Sequence, residues 1–417
     1  MRRIAMISDH ASPLAAAGGV DSGGQNVYVA QVARNLARLG YAVDVFTRRD
    51  DVNQPEILDW QPRVRVIHVP AGPAQYVRKE DLLPLMDDFC DYLREFCAAA
   101  GSYDLVHANF FMSGLVALRL KRELGIPFVV TFHALGRVRR LHQGDADQFP
   151  PSRMEIEDRI IAEADALIAE CPQDEEDLTR LYRANRARIR VIPCGFDKAE
   201  FWPIARPFAR RALGFDAKER ILLNIGRLIP RKGIDNAARA LGRLAREHGI
   251  AAKLVVVGGN SDVPCPVTTP EIGRLKSIAA EEGVCEQVIF TGRRSREFLK
   301  LYYSAADVFV TTPWYEPFGI TPLEAMACGT PVVGADVGGI RYSIADGLTG
   351  LLVPPNDPAA LAASLALLYR DADYRKELGR NAIDRVHEQF TWAKVTASIA
   401  GLYQNVLVGS APELHVA

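Results

Sequence analysis

Apolar residues fall into two alternating rhythms along this chain: short continuous runs, and stripes at helical spacing. Residues 4–8 form a short, mostly apolar run, and a glycine-rich loop at 18–24 follows it. Val29, Val32, Ala33, Leu36 and Leu39 then recur three and four residues apart, which predicts one buried helix face ending at Gly40. Residues 41–47 read as the next strand, completing a βαβ unit. Further strand-like runs lie at 64–69, 104–107, 128–132, 166–169 and 189–192, with helical stretches between most of them. Short apolar strands alternating with helices predict a parallel, doubly wound α/β sheet.

The rhythm breaks at 197–217, which holds prolines, aromatics and no strand period. It restarts with runs at 221–225, 254–258, 288–291, 308–312 and 331–334, and amphipathic helices close the chain. We therefore expect two Rossmann-like domains: 1–200, a linker at 201–217, and 218–389. The last helix, about 390–408, is expected to pack back on the first domain. In open parallel sheets ligands sit beyond the carboxyl ends of the strands, so chemistry is expected in a cleft between two such edges.

Composition narrows the class. A net charge of −1 gives the whole chain no electrostatic pull towards nucleic acid. Seven cysteines without a CxxC pair read as reduced thiols, and no metal-ligand cluster is visible. The opening MRRIAMISDH loses its apolar character at Ser8, Asp9 and His10, so it reads as a buried strand and not as an export signal. A cytoplasmic location is expected, with peripheral membrane contact left open.

Candidate chemistry concentrates in a few loops. EPFGITPLEAMACGTPVV (316–333) follows a strand and opens a helix. Backbone N–H groups of Phe318, Gly319, Ile320 and Thr321 at a helix start can hold hydroxyls or phosphate. Thr321-Pro322-Leu323-Glu324 also matches a capping box, which would make Glu324 a cap; Glu316 has no such alternative. In NIGRLIPRKGIDNA, Arg227 and Lys232 flank a turn beyond a strand, where two cations can neutralise a leaving diphosphate. His133 ends another strand-like run. The loop AAAGGVDSGGQNVYV lacks GxGxxG but offers Asp21, Gln25 and Asn26.

The paired glutamates framing PFG resemble the donor-site signature of retaining family-4-type glycosyltransferases of the GT-B fold, and the likeness extends over nearly the whole chain. That resemblance implies transfer of a hexosyl unit from a nucleoside-diphosphate sugar, with a UDP-sugar favoured, and neither cofactor nor metal. By resemblance Glu316 meets the transferred sugar and Glu324 the ribose. Arg227 and Lys232 hold the diphosphate, His133 lies against the sugar, often through its backbone carbonyl, and Arg293 lies near the base.

The glycine-rich loop is similar to that of sucrose-phosphate synthases and of the mycothiol-pathway inositol-phosphate glycosyltransferases. This puts Gly23 or Gly24 near the donor phosphate and Gln25 and Asn26 at the acceptor. In the same two groups Lys79 and Arg153 match acceptor-phosphate ligands. The inositol-phosphate enzymes carry a tyrosine where this chain has Phe110 and a threonine where it has Ala134. Two phosphate hydrogen bonds, worth roughly 1.5–3 kcal/mol each to a charged partner, are thereby missing. The acceptor is a hydroxyl compound, with a sugar phosphate left open. A sugar-nucleotide 2-epimerase of the same architecture and a non-catalytic two-lobed sugar-binding protein stand as alternatives.

Overall fold

The computed structural model describes residues 1–15 and 23–409. Fourteen strands are formed among them: β1 Arg3–Ile7, β2 Ala42–Arg48, β3 Ile57–Gln61, β4 Val64–Val69, β5 Leu105–Asn109, β6 Phe128–Thr131, β7 Ala166–Ala169, β8 Ile189–Val191, β9 Ile221–Ile225, β10 Lys253–Val257, β11 Val288–Gly292, β12 Val308–Thr311, β13 Val332–Ala335 and β14 Gly350–Val353. The chain divides into two compact units. Among the described residues, one holds 1–15, 24–193 and 392–409; the other holds 23 and 194–391.

The first unit carries a sheet in the order β3-β4-β2-β1-β5-β6-β7-β8, parallel except for β3 against β4. The second carries an all-parallel sheet, β11-β10-β9-β12-β13-β14. Each order reverses direction once, between β1 and β5 and between β9 and β12. Those two switch points are where loops diverge and ligands can enter an open α/β sheet.

Both sheets are covered by helices, and their strands are apolar because both faces are buried. Helix Gly24–Arg38 buries Val29, Val32 and Leu36 completely. Leu39, in the same spacing, is exposed because the helix stops at Arg38. The last helix, Trp392–Gly409, belongs to the first unit and packs on Gly24–Arg38.

Three local expectations differ from the structure. The expected linker contains a helix, Arg206–Leu213, with Pro207 in its first turn, and it clusters with the second unit. Proline is tolerated there because the first N–H groups of a helix have no internal acceptor. Strands β3 and β14 were not anticipated: β3 is an edge strand with alternating exposure, and β14 is a four-residue run starting at glycine. The capping box is not formed. Helix Ile320–Ala327 starts earlier, with Gly319 as its N-cap at φ 89°, so Glu324 lies in the helix interior.

Candidate active site

In the second unit, the turn after β9 and the loop after β12 emerge from adjacent strands at the switch point. Lys232 ends a single 3-10 turn, Pro230–Lys232, and its ammonium group forms an ion pair with the carboxylate of Glu316. The Arg231 guanidinium lies 3.9 Å from the same carboxylate and stacks over Tyr315 with 5.1 Å to the ring centre. Backbone contacts lock the two loops together: Trp314 N–H donates to Arg231 O at 2.9 Å, and the Thr312 hydroxyl donates to Gly233 O at 2.8 Å. At Gly233 a Cβ would fall 1.9 Å from Thr312 O, so only glycine lets the loops meet.

Burial works to raise the Glu316 carboxyl, but Lys232 and Arg231, followed by Arg227, outweigh it and hold it below its usual range. Three cations thus converge on one ionised carboxylate beside the start of helix Ile320–Ala327. The first N–H groups of that helix have no intrahelical acceptor and carry its positive dipole end.

Glu324 is buried on the same helix. Arg296 Nη1 lies 2.8 Å from its Oε1, and the Tyr303 hydroxyl donates to Oε2 at 2.9 Å. Burial raises the Glu324 carboxyl, with Arg296 opposing. Both partners come from helix Arg296–Ala305, and Arg296 also reaches Glu200 at 2.5 Å. Sequence reading missed Arg231, Arg296 and Tyr303, since nothing in their local spacing marks them. It also missed the Gly338-Gly339 pair after β13. A Cβ at Gly338 would sit 2.0 Å from Glu316 O, and one at Gly339 would sit 2.3 Å from the Phe318 Cα. These glycines shape the Glu316 loop from below. Arg293 stands on the loop after β11, where its N–H donates to Ser261 O at 2.8 Å and its Nε to Asp262 at 3.1 Å. Its backbone N–H is therefore engaged within the protein.

In the first unit, polar groups line the carboxyl ends of β1, β5, β6 and β7. His133, two residues beyond β6, has φ 56°, a left-handed conformation costly for a residue with Cβ. Its Nε2 lies 3.0 Å from Asn109 Oδ1 and its Nδ1 lies 3.1 Å from Glu170 Oε1. Asn109 Nδ2 donates to Ile7 O at 3.2 Å, which turns its oxygen towards the ring. Asn109, His133 and Glu170 thus form a lateral clamp across three neighbouring strand ends, and the ring has no nitrogen left over.

Gln25 Nε2 donates to Ser8 Oγ and Asn109 O, each at 3.3 Å, and Asn26 Nδ2 donates to Ser12 O at 2.9 Å. Gly24 opens the helix and is exposed, next to half-buried Gly23. Asp21 lies outside the described residues. Lys79 opens a 3-10 turn, with its ammonium group 3.9 Å from Glu80.

Arg153 is enclosed. The resemblance makes it an acceptor-phosphate ligand, and in the structure its side chain is 2% exposed. The guanidinium donates to Glu157 at 2.8 Å and to Ala134 O, and sits 4.6–4.8 Å from the ring centres of Phe110, Phe111 and Phe149. A buried cation demands a counter-charge, and Glu157, one helical turn away, provides it. The surface arginines 137, 139 and 140 each have an aspartate within 4 Å.

Comparison with known proteins identifies the family. The family described as "Glycosyl transferases group 1" matches residues 205–385, and "Glycosyl transferase 4-like domain" matches 23–195. A D-inositol 3-phosphate glycosyltransferase of Actinosynnema mirum is 38% identical over 97% of each chain. Another from Acidothermus cellulolyticus is 39% identical over 97% of this chain and 91% of its own. Among solved structures, a sucrose-phosphate synthase from Thermosynechococcus elongatus superposes with a TM-score of 0.90 at 35% identity, covering 98% of this chain and all of that one.

Proposed function

Since the chain belongs to the group 1 glycosyltransferases of the GT-B fold, we propose that it transfers a hexosyl unit from a UDP-sugar, with retention, to a hydroxyl of a small polyol or sugar phosphate. The observation that carries this reading is the Lys232–Glu316 ion pair, with Arg231 beside it and the start of helix Ile320–Ala327 adjoining. On donor binding Lys232 and Arg227 would turn to the diphosphate, whose charge grows as the sugar departs. Helix-start N–H groups from Phe318 to Thr321 would add to that stabilisation. Glu316, released from Lys232, would accept hydroxyls of the sugar, and Glu324, braced by Arg296 and Tyr303, would meet the ribose. His133, whose ring is fully engaged, would offer its backbone carbonyl to the sugar. The acceptor hydroxyl then attacks from the face the diphosphate leaves, its oxygen replacing the diphosphate oxygen on the sugar carbon and its proton passing to the departing diphosphate. Gln25, Asn26 and Lys79 are the acceptor-side candidates.

The names of the relatives favour inositol 3-phosphate as the first acceptor to test. The enclosed Arg153, with Phe110 and Ala134 beside it, favours a second reading in which the acceptor carries no phosphate. Both are tested by incubating the full chain with UDP-hexoses and UDP-N-acetylhexosamines. Inositol 3-phosphate, fructose 6-phosphate and their unphosphorylated counterparts serve as acceptors, and product is followed by mass and anomeric NMR. Transfer with retained configuration supports the proposal. Donor epimerisation without an acceptor overturns it.

A further inference from the structure

The opposite end of the second sheet carries a feature that the transfer reaction does not use. A cavity of about 670 Å³ opens at the amino-terminal side of β12 and β13, bounded by Arg206, Thr330 and helix Ala372–Gln389. This is the far end of the strands whose carboxyl ends lead to Glu316. Its volume lies in the range that holds small molecules.

The lining is markedly basic. Arg206, Arg375, Lys376 and Arg380 face Asp373. Behind them Asp307, itself 7% exposed, is shared by three arginines: Arg206 at 3.2 Å, Arg210 at 3.0 Å and Arg375 at 4.0 Å. Five cations therefore meet two carboxylates, one of which, Asp373, is fully in solvent and takes Lys376 at 3.1 Å. Arg375 is 14% exposed, and its Nε is enclosed without a hydrogen-bond partner, although Nη1 donates to Leu368 O at 2.9 Å. Arg380 makes no ion pair among the described residues. Half-buried guanidinium groups in excess of their counter-charges are costly, and a concave basic wall concentrates field on an entering anion. The planar N–H fork of arginine fits phosphate oxygens in pairs.

We propose that this cavity is a second ligand site, separate from the donor site, for a small phosphate-bearing anion. The floor is rigid: Gly379 packs so closely on Gly329 that a Cβ there would lie 2.4 Å from Gly329 O. Gly329 follows the helix that starts at Gly319, so the site shares a helix with the donor-side loop.

The test uses the full chain saturated with UDP, so that the donor site is filled. Inorganic phosphate and glucose 6-phosphate are titrated at constant ionic strength and followed by calorimetry, with chloride as control. Saturable binding of either phosphate is expected, with affinity falling about tenfold or more in Arg380→Ala and in Arg375→Met, as loss of a charge-assisted hydrogen bond implies. Arg380→Ala is surface-exposed and keeps the test open if Arg375→Met fails to fold. Absence of saturable binding in the UDP-loaded protein overturns the proposal. So does affinity unchanged in Arg380→Ala and in any Arg375→Met that folds.

Discussion

At the scale of single residues, the donor-side chemistry rests on a carboxylate that must be ionised and on the cations that keep it so. The Glu316 carboxyl is held below its usual range, so its half of the ion pair is lost as pH falls through that depressed value. Burial lowers the Lys232 ammonium, so its half is lost as pH rises through a value below the usual lysine range. Removing either partner takes away one preorganised electrostatic contact. Glu316→Gln and Lys232→Ala are each expected to lower kcat by about a hundredfold or more, measured by steady-state transfer assays. Near-native turnover in both would defeat the assignment. The His133 clamp gives a different expectation. Glu170→Ala leaves one ring nitrogen without its partner and loosens a backbone held at φ 56°. A fall in kcat of about tenfold is expected, the effect of losing one hydrogen bond to a charged group. Glu170→Gln, which can still accept from Nδ1–H, is expected to recover most of it. Equal activity in wild type and Glu170→Ala would remove Glu170 from the mechanism.

At the scale of elements, most strands were legible because a parallel strand buried on both faces is a continuous apolar run, as at 221–225 and 166–169. Edge strands lack that signal: β3 alternates apolar and polar residues at one margin of its sheet. Local templates also mislead where tertiary contacts override them. Thr321-Pro322-Leu323-Glu324 satisfies a capping box in sequence, yet Gly319 takes the cap and the Glu324 side chain turns to Arg296 and Tyr303. The charged pair Lys232 and Glu316 was legible from each residue's position after a strand. Asn109, Glu170, Arg296 and Tyr303 were not, because each is defined by a partner on another element. The glycine pair after β13 is the sharpest case. Gly338→Ala would drive a Cβ into a backbone oxygen 2.0 Å away, and the Glu316 loop would have to yield. We expect a loss of about 2 kcal/mol or more in stability, the scale of a strained backbone site, by denaturant unfolding. A higher KM for the donor should accompany it, and unchanged stability and KM together would show that the loop tolerates the displacement.

At the scale of the whole molecule, from Gly24 onward the chain crosses between its units twice, at 193–194 and 391–392, and the last helix must find the first unit again. What holds it there includes a buried polar link. His107 on β5 contacts the Tyr403 hydroxyl of the last helix at 2.6 Å and Thr131 Oγ1 of β6 at 2.9 Å. Burial, with a smaller contribution from His133, lowers the His107 pKa to about 3. The folded protein therefore keeps this ring neutral where the unfolded chain, at an ordinary pKa near about 6.5, takes up a proton. Between those two values the unfolded state binds more protons, so stability is full above about 6.5 and declines as pH falls towards 3. At about pH 5 this one residue should cost about 2 kcal/mol relative to neutrality. Other groups titrate in the same window, so the contribution is isolated by difference. His107→Gln has no titrating ring and can still bridge the two hydroxyls. Its stability should fall less than that of the wild type between about pH 7.5 and pH 5, by about 2 kcal/mol, in parallel urea titrations. Identical pH slopes would mean that His107 takes up its proton in the folded protein at the same pH as in the unfolded chain.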